Sequence, residues 1–183
     1  MKRRLEEMNN KKPFTLCFTG ISGSGKSTLA REVGKYLEEQ EVLVKIIDGD
    51  TLRGELGNLF GYTREDRMKQ NRIVRVLAKY LNDCGINVII AVIAPFDEMR
   101  KQMRSFLGEN YIQAYLDCPV EECAKRDVKG YYKKAQKMEN FIGVSDAYEL
   151  PEDSEIRIDT VKEEVESSVE QIILFLKECG YSI

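Results

Sequence analysis

The 183-residue chain carries 28 Lys and Arg against 31 Asp and Glu, for a net charge of −3, with 43% hydrophobic residues. A length of this order suits one domain that buries about 70% of its unfolded surface without a metal or disulfide staple, and the slight acidity removes any case for nucleic-acid binding by bulk electrostatics. Histidine is absent, so acid–base chemistry falls to carboxylates, lysine or tyrosine, and metal ligation to oxygen donors of the kind that suits Mg²⁺.

Residues 1–12 start with Lys2, Arg3 and Arg4. They continue through Glu6, Glu7, Asn9, Asn10, Lys11 and Lys12 where a signal peptide needs an apolar core, so they read as a flexible polar tail before a domain at 13–183. Phe14 to Thr19 is an apolar, β-prone run, and directly after it stands Gly20-Ile21-Ser22-Gly23-Ser24-Gly25-Lys26-Ser27. The pattern G-x-x-x-x-G-K-[ST] between a strand and a helix is a phosphate-binding P-loop. Gly20, Gly23 and Gly25 let the backbone wrap closely around an oligophosphate with its N–H groups inward, Lys26 is placed to reach the β and γ phosphates, and Ser27 presents a hydroxyl to Mg²⁺. With Ser22, Ser24 and Thr28 these are the candidate residues for binding ATP, and Lys26 is a candidate catalytic group.

A helix is predicted from Lys26 to Gln40, with Leu29, Ala30, Val33 and Leu37 on one face. Val42 to Ile47 reads as a buried strand ending at Asp48-Gly49-Asp50. A second helix runs from about Arg64 to Asp83, with Ile73, Val74, Val76, Leu77, Tyr80 and Leu81 as its apolar face and Gly85 as its stop. Asn87 to Ala94 is a central strand ended by Pro95, Tyr111 to Leu116 a fourth strand ending at Asp117, and Glu155 to Ile158 a short fifth. The last helix opens on a Thr160/Glu163 capping box and turns Val161, Val165, Val169, Ile172, Ile173 and Leu176 inward. This alternation predicts an α/β chain with the three-layer P-loop NTPase fold and a parallel sheet, in which ligands gather at the carboxyl ends of the strands. By that rule Asp48, Asp50, Pro95 and Asp117 draw attention.

From Ala124 to Tyr148 the pattern changes. Lys125, Arg126, Lys129, Lys133, Lys134 and Lys137 crowd among Tyr131, Tyr132 and Phe141 with little apolar periodicity, which reads as a mobile basic lid able to exclude water and neutralise a transferring phosphoryl group. The five cysteines include no C-x-x-C pair and are read as reduced thiols of a cytoplasmic protein. Val88 to Pro95, the longest apolar run, is far short of the ~20 residues that span a bilayer.

The strings Asp48-Gly49-Asp50-Thr51-Leu52-Arg53, Gly61 to Arg67, Ala94-Pro95-Phe96, Arg126 to Ala135 and Phe141-Ile142-Gly143 occur in one order. In them the chain resembles the adenylylsulfate kinases over roughly residues 14–178. The resemblance implies transfer of the γ-phosphoryl of ATP to the 3′-hydroxyl of adenosine 5′-phosphosulfate (APS), with Mg²⁺ as cofactor and a homodimer as the assembly. It places Asp50 near Mg²⁺ and the acceptor hydroxyl, as base or orienting carboxylate, and Asp48 beside it on the acceptor. It assigns Arg53 and Arg67 to the phosphosulfate, Tyr62 and Phe141 to a sandwich around the acceptor adenine, Lys129 and Lys133 to the phosphates and Arg126 to the ATP base. Gln70 and Ala94 match acceptor-binding positions.

Departures concentrate there. The family usually has Asn at Thr51 and Gln70, Arg at Ile73, Ser at Ala94, Thr at Ile142, Phe at Tyr62 and Pro at Val128. An acceptor site altered in this way fits a divergent APS kinase, or a relative acting on another nucleotide-linked acid such as a cytidine diphosphoramidate used in capsule building. A nucleotide-dependent switch or a non-catalytic binding module is the remaining class, and the absence of an N-K-x-D string speaks against a GTPase.

Overall fold

The computed structural model describes residues 13–127, 130–135 and 139–183, and five strands lie within them. They are β1 (Thr15–Thr19), β2 (Val44–Asp48), β3 (Asn87–Ala91), β4 (Tyr111–Asp117) and β5 (Ile156–Asp159), all parallel in the order β2-β3-β1-β4-β5. Alternate side chains of the central strands feed two cores, as the period of two requires. Leu16, Phe18, Ile89, Ala114 and Leu116 pack on one face against helices α1 (Lys26–Glu39) and α7 (Val165–Glu178). Cys17, Val88 and Ile90 pack on the other against α3 (Arg64–Asp83) and α4 (Asp97–Leu107). Both faces of the sheet are covered, giving three layers. Short helices α2 (Gly49–Glu55), α5 (Val120–Arg126) and α6 (Tyr132–Ala135) lie at the carboxyl end of the sheet.

Several elements differ from the sequence reading. β2 is an edge strand with Lys45 and Ile46 exposed, so its apolar run is only half buried. α3 has the predicted span, but its buried face is Gln70, Asn71, Val74 and Ala78, while Val76, Leu77 and Tyr80 face outward. β3 stops at Ala91, before Ala94, because the chain leaves the sheet to line the cavity described below. α7 starts at Val165: Thr160 to Glu163 form a turn, Val161 is 51% exposed, and Glu163 accepts the Asp159 N–H instead of closing a capping box. The sequence reading places no element at α4, although Met99, Met103, Phe106 and Leu107 recur at helical spacing and Met99, Met103 and Leu107 are buried. The polar tail 1–12, Val128, Lys129 and Lys137 lie outside the described residues.

Candidate active site

The turn from β1 into α1 is built by backbone that only glycine adopts without strain. Gly23 and Gly25 hold φ of +83 and +100, and a Cβ on Gly20 would stand 2.8 Å from the Leu116 carbonyl oxygen. Lys26, 9% exposed, donates from Nζ to Ile21 O at 2.6 Å and to Ser24 Oγ at 3.4 Å, which draws the ammonium across the mouth of the loop. Ser27 Oγ donates to Asp48 Oδ2 at 2.6 Å. The other carboxylate oxygen of Asp48 accepts the N–H groups of Asp50 and Thr51, capping α2 and setting Asp50 in its first turn. Asp48 is thereby tied to the P-loop serine and the helix cap, and it lines the same cavity. Ser22, Gly23, Gly25, Lys26, Ser27 and Thr28 line the cavity, while Gly20 and Ser24 stand behind it as support for the loop.

The far end of the same cavity collects side chains from α2, α3 and the lid segment. Arg53 is 8% exposed and donates to Phe60 O and Gly61 O. Arg67 donates to Tyr62 O and to Asn140 O at 2.9 Å. Both guanidinium groups flank the Tyr62 ring, at 4.6 and 5.4 Å. Burial, and then repulsion from Arg53, lowers the pKa of Arg67. Phe141 is 8% exposed and meets Tyr132 edge-on at 5.1 Å, so the two rings assigned to a sandwich lie on the cavity wall with partners of their own. Gln70, one turn after Arg67 on the same helix, is 6% exposed, and neither of its amide atoms is hydrogen-bonded among the described residues. A buried amide left with donor and acceptor both unmet is costly unless a ligand meets them. Ala94 lines the cavity with φ +42.

Arg126 closes the opposite end, donating to Thr160 O at 2.7 Å and approaching Thr160 Oγ1 at 3.3 Å. Thr160 was read as a helix cap; its contact with Arg126 across 34 residues has no signal in the sequence. Tyr132 was likewise unassigned, and its hydroxyl donates to Ser22 O at 2.8 Å, fastening the lid segment to the P-loop. Lys133 is exposed, with its N–H on Asp127 Oδ2, and is not brought to the cavity. Asp117 also stays outside, bound to Arg157 and to the Tyr115 hydroxyl.

The result is one cavity of about 630 Å³ running from Arg126 and Thr160, past the P-loop and Asp50, to Arg53, Arg67, Tyr62 and Phe141. The metal donors beside the P-loop are all oxygen: the Ser27 hydroxyl and the carboxylates of Asp48 and Asp50. Such a small oxygen set fits Mg²⁺, which keeps several waters and is completed by substrate phosphates.

Residues 12–159 match the family model described as adenylylsulphate kinase. The chain is similar to the adenylyl-sulfate kinase of Clostridium acetobutylicum, with 43% identity over 179 residues, covering 97% of this chain and 90% of that one. Among solved structures it resembles the Mycobacterium tuberculosis APS kinase in complex with AMPPNP and APS, with a TM-score of 0.85 and 30% identity over 91% of this chain and 99% of that chain. It also resembles a hexameric APS kinase from Thiobacillus denitrificans, with a TM-score of 0.73 and 27% identity, over all of this chain and 32% of that longer one.

Proposed function

The chain belongs to the adenylylsulphate kinase family, and from that membership we propose that it transfers the γ-phosphoryl group of ATP to the 3′-hydroxyl of APS, giving PAPS and ADP. The observation that carries the reading is the single cavity in which a P-loop at one end faces paired Arg53 and Arg67 around Tyr62 at the other. The ATP base lies by Arg126 and Thr160, its phosphates in the Gly23 to Thr28 loop, and the phosphosulfate of APS against the two arginines.

The chemistry asks little of covalent catalysis. Phosphoryl transfer is governed by alignment and by charge neutralisation, and the loop N–H groups together with the Lys26 ammonium supply the latter. Lys26 exchanges its bond to Ile21 O for phosphate oxygens. Mg²⁺ bound by the Ser27 hydroxyl and the Asp50 carboxylate would neutralise phosphate charge. Asp50 in the first turn of α2 takes the 3′-hydroxyl proton as a base or, as an orienting carboxylate, accepts the hydrogen bond of that hydroxyl. Tyr62 and Phe141 grip the acceptor base once they close on it. Tyr132, held on Ser22 O, keeps the described part of the lid segment against the P-loop, and Lys133 reaches the phosphates only once that segment closes. The domain at 13–183 acts in the cytoplasm as a homodimer; light scattering on the purified chain reads its mass.

The deciding experiment supplies ATP-Mg²⁺ with APS and, in parallel, a panel of other nucleotide-linked acids. PAPS formation is expected. The unmet amide of Gln70 and the methyl group of Ala94 at the acceptor end favour one further outcome: turnover of another acceptor, such as a cytidine diphosphoramidate, with none of APS. GTP hydrolysis without any acceptor would instead mark a switch.

A further inference from the structure

Ala94 is 3% exposed and holds φ +42, in the left-handed region that a residue with a Cβ keeps only when its surroundings impose it. Three successive carbonyls at this bend are each taken by a donor from a different part of the chain. The Thr19 hydroxyl donates to Ile93 O at 2.6 Å, Arg100 Nη1 to Ala94 O at 2.9 Å, and the Glu149 N–H to Pro95 O at 2.9 Å. Because the one hydroxyl proton of Thr19 goes to Ile93 O, the 2.7 Å contact between Thr19 and Tyr148 is donated by Tyr148.

Arg100 is the least fully satisfied member of this set among the described residues. Its side chain is 2% exposed, Nε and Nη2 have no hydrogen bond among the described residues, and the Asp97 carboxylate stands 3.9 Å from Nη2. The Tyr148 ring centroid is 5.7 Å from the guanidinium carbon. A buried cation so sparsely satisfied is a weak stabiliser, and an apolar side chain of similar volume generally serves a core as well. The one good bond it makes goes to the residue whose backbone is strained.

We propose that Arg100 is a positioning residue for the phosphoryl acceptor: from α4, behind the cavity wall, it holds the Ala94 carbonyl and so keeps residues 93–95 in the bend that shapes the acceptor end. The inference rests on the acceptor reading of that end given above. Ile93, Ala94 and Pro95 line the cavity and Arg100 does not, so it acts through them. Without the anchor, Ala94 relaxes toward an ordinary φ and the wall shifts, while the contacts of Lys26 and Ser27, which do not involve Arg100, persist.

The test compares Arg100→Met, Arg100→Lys and Arg100→Met/Ala94→Gly with the unaltered chain, reading KM for APS and for ATP separately and amide hydrogen exchange over residues 92–96. In Arg100→Met the KM for APS rises about tenfold or more, the KM for ATP stays within about twofold, and exchange at 92–96 speeds up. Adding Ala94→Gly removes the penalty on the left-handed bend and recovers part of the APS affinity. Equal losses for both substrates, or unchanged exchange at 92–96 in Arg100→Met, overturn the proposal. If neither Met variant folds, Arg100→Lys decides: a several-fold rise in the APS KM alone supports the role, and unaltered values for both substrates overturn it. Failure of the unaltered chain to turn over APS defeats the acceptor assignment, while the exchange measurement still judges Arg100.

Discussion

At the scale of single residues, the cavity gathers the P-loop side chains proposed to act on the donor and the Arg53, Arg67 and Tyr62 group proposed to act on the acceptor. Lys26 is the only member of the P-loop with a full positive charge, and it sits at 9% exposure with its ammonium across the loop. Replacing Lys26 by Ala is expected to lower kcat about 10²–10³-fold, the usual loss on removing one preorganised donor from a transition state, measured with ATP saturating. Tyr62→Ala and Phe141→Ala should raise KM for the acceptor much more than KM for ATP, because both rings stand at the arginine end of the cavity. Equal changes in the two constants would remove them from the acceptor site. Lys26 and Ser27 were legible from eight consecutive positions, since the pattern dictates the local backbone. Thr160 and Tyr132 were not, because each works through a contact with a group distant in sequence, and Arg100 was not, because its bond to Ala94 O, six residues away, depends on the bend that follows β3.

At the scale of elements, helix ends show how far local chemistry reaches. α3 closes with Gly85 at φ +78, Ile86 N–H on Leu81 O and Gly85 N–H on Asn82 O; α1 closes with the same pair of bonds around Glu41 at φ +58. Gly85→Ala should therefore cost about 1–2 kcal/mol, and Glu41→Gly should add up to a similar amount, both read from chemical denaturation. The glycine made the end of α3 readable, whereas Glu41 hid the equivalent turn. β4 and β5 are further joined by Glu155, which accepts from Arg104 and from the Gln113 N–H. Burial alone would raise the pKa of Glu155, but these hydrogen bonds outweigh it and hold the carboxyl below its ordinary value of 4.5. A depressed carboxylate contributes stability above its unfolded pKa and loses it as pH falls through the folded one. Thermal stability should thus decline below about pH 4.5, and Glu155→Gln should flatten that decline while lowering stability at neutral pH. An equally steep acid decline in Glu155→Gln would assign it to other carboxylates.

At the scale of the whole molecule, the parallel sheet brings the ends of β1, β2 and β3 to one edge, and the residues that follow each of them line one cavity there. A nucleotide that bridges the P-loop and the Arg126 to Thr160 contact should stabilise the whole domain. AMPPNP with Mg²⁺ at about 100 times its Kd adds about 2.7 kcal/mol, seen as a rise in Tm that Lys26→Ala diminishes. The sequence by itself determined the P-loop, the five strands with the three long helices at Lys26, Arg64 and Val165, and the family strings around Asp50, Arg53 and Arg67, because each is written in consecutive residues whose local geometry follows from their chemistry. Only the tertiary structure decided which face of α3 is buried, that Asp48 is hydrogen-bonded to Ser27, and that the bend from Ile93 to Pro95 is held by donors from Thr19 and Glu149. Those outcomes depend on burial and on hydrogen-bond partners tens of residues apart, and the pairing of distant groups becomes definite only when the sheet and its two helical layers close around them.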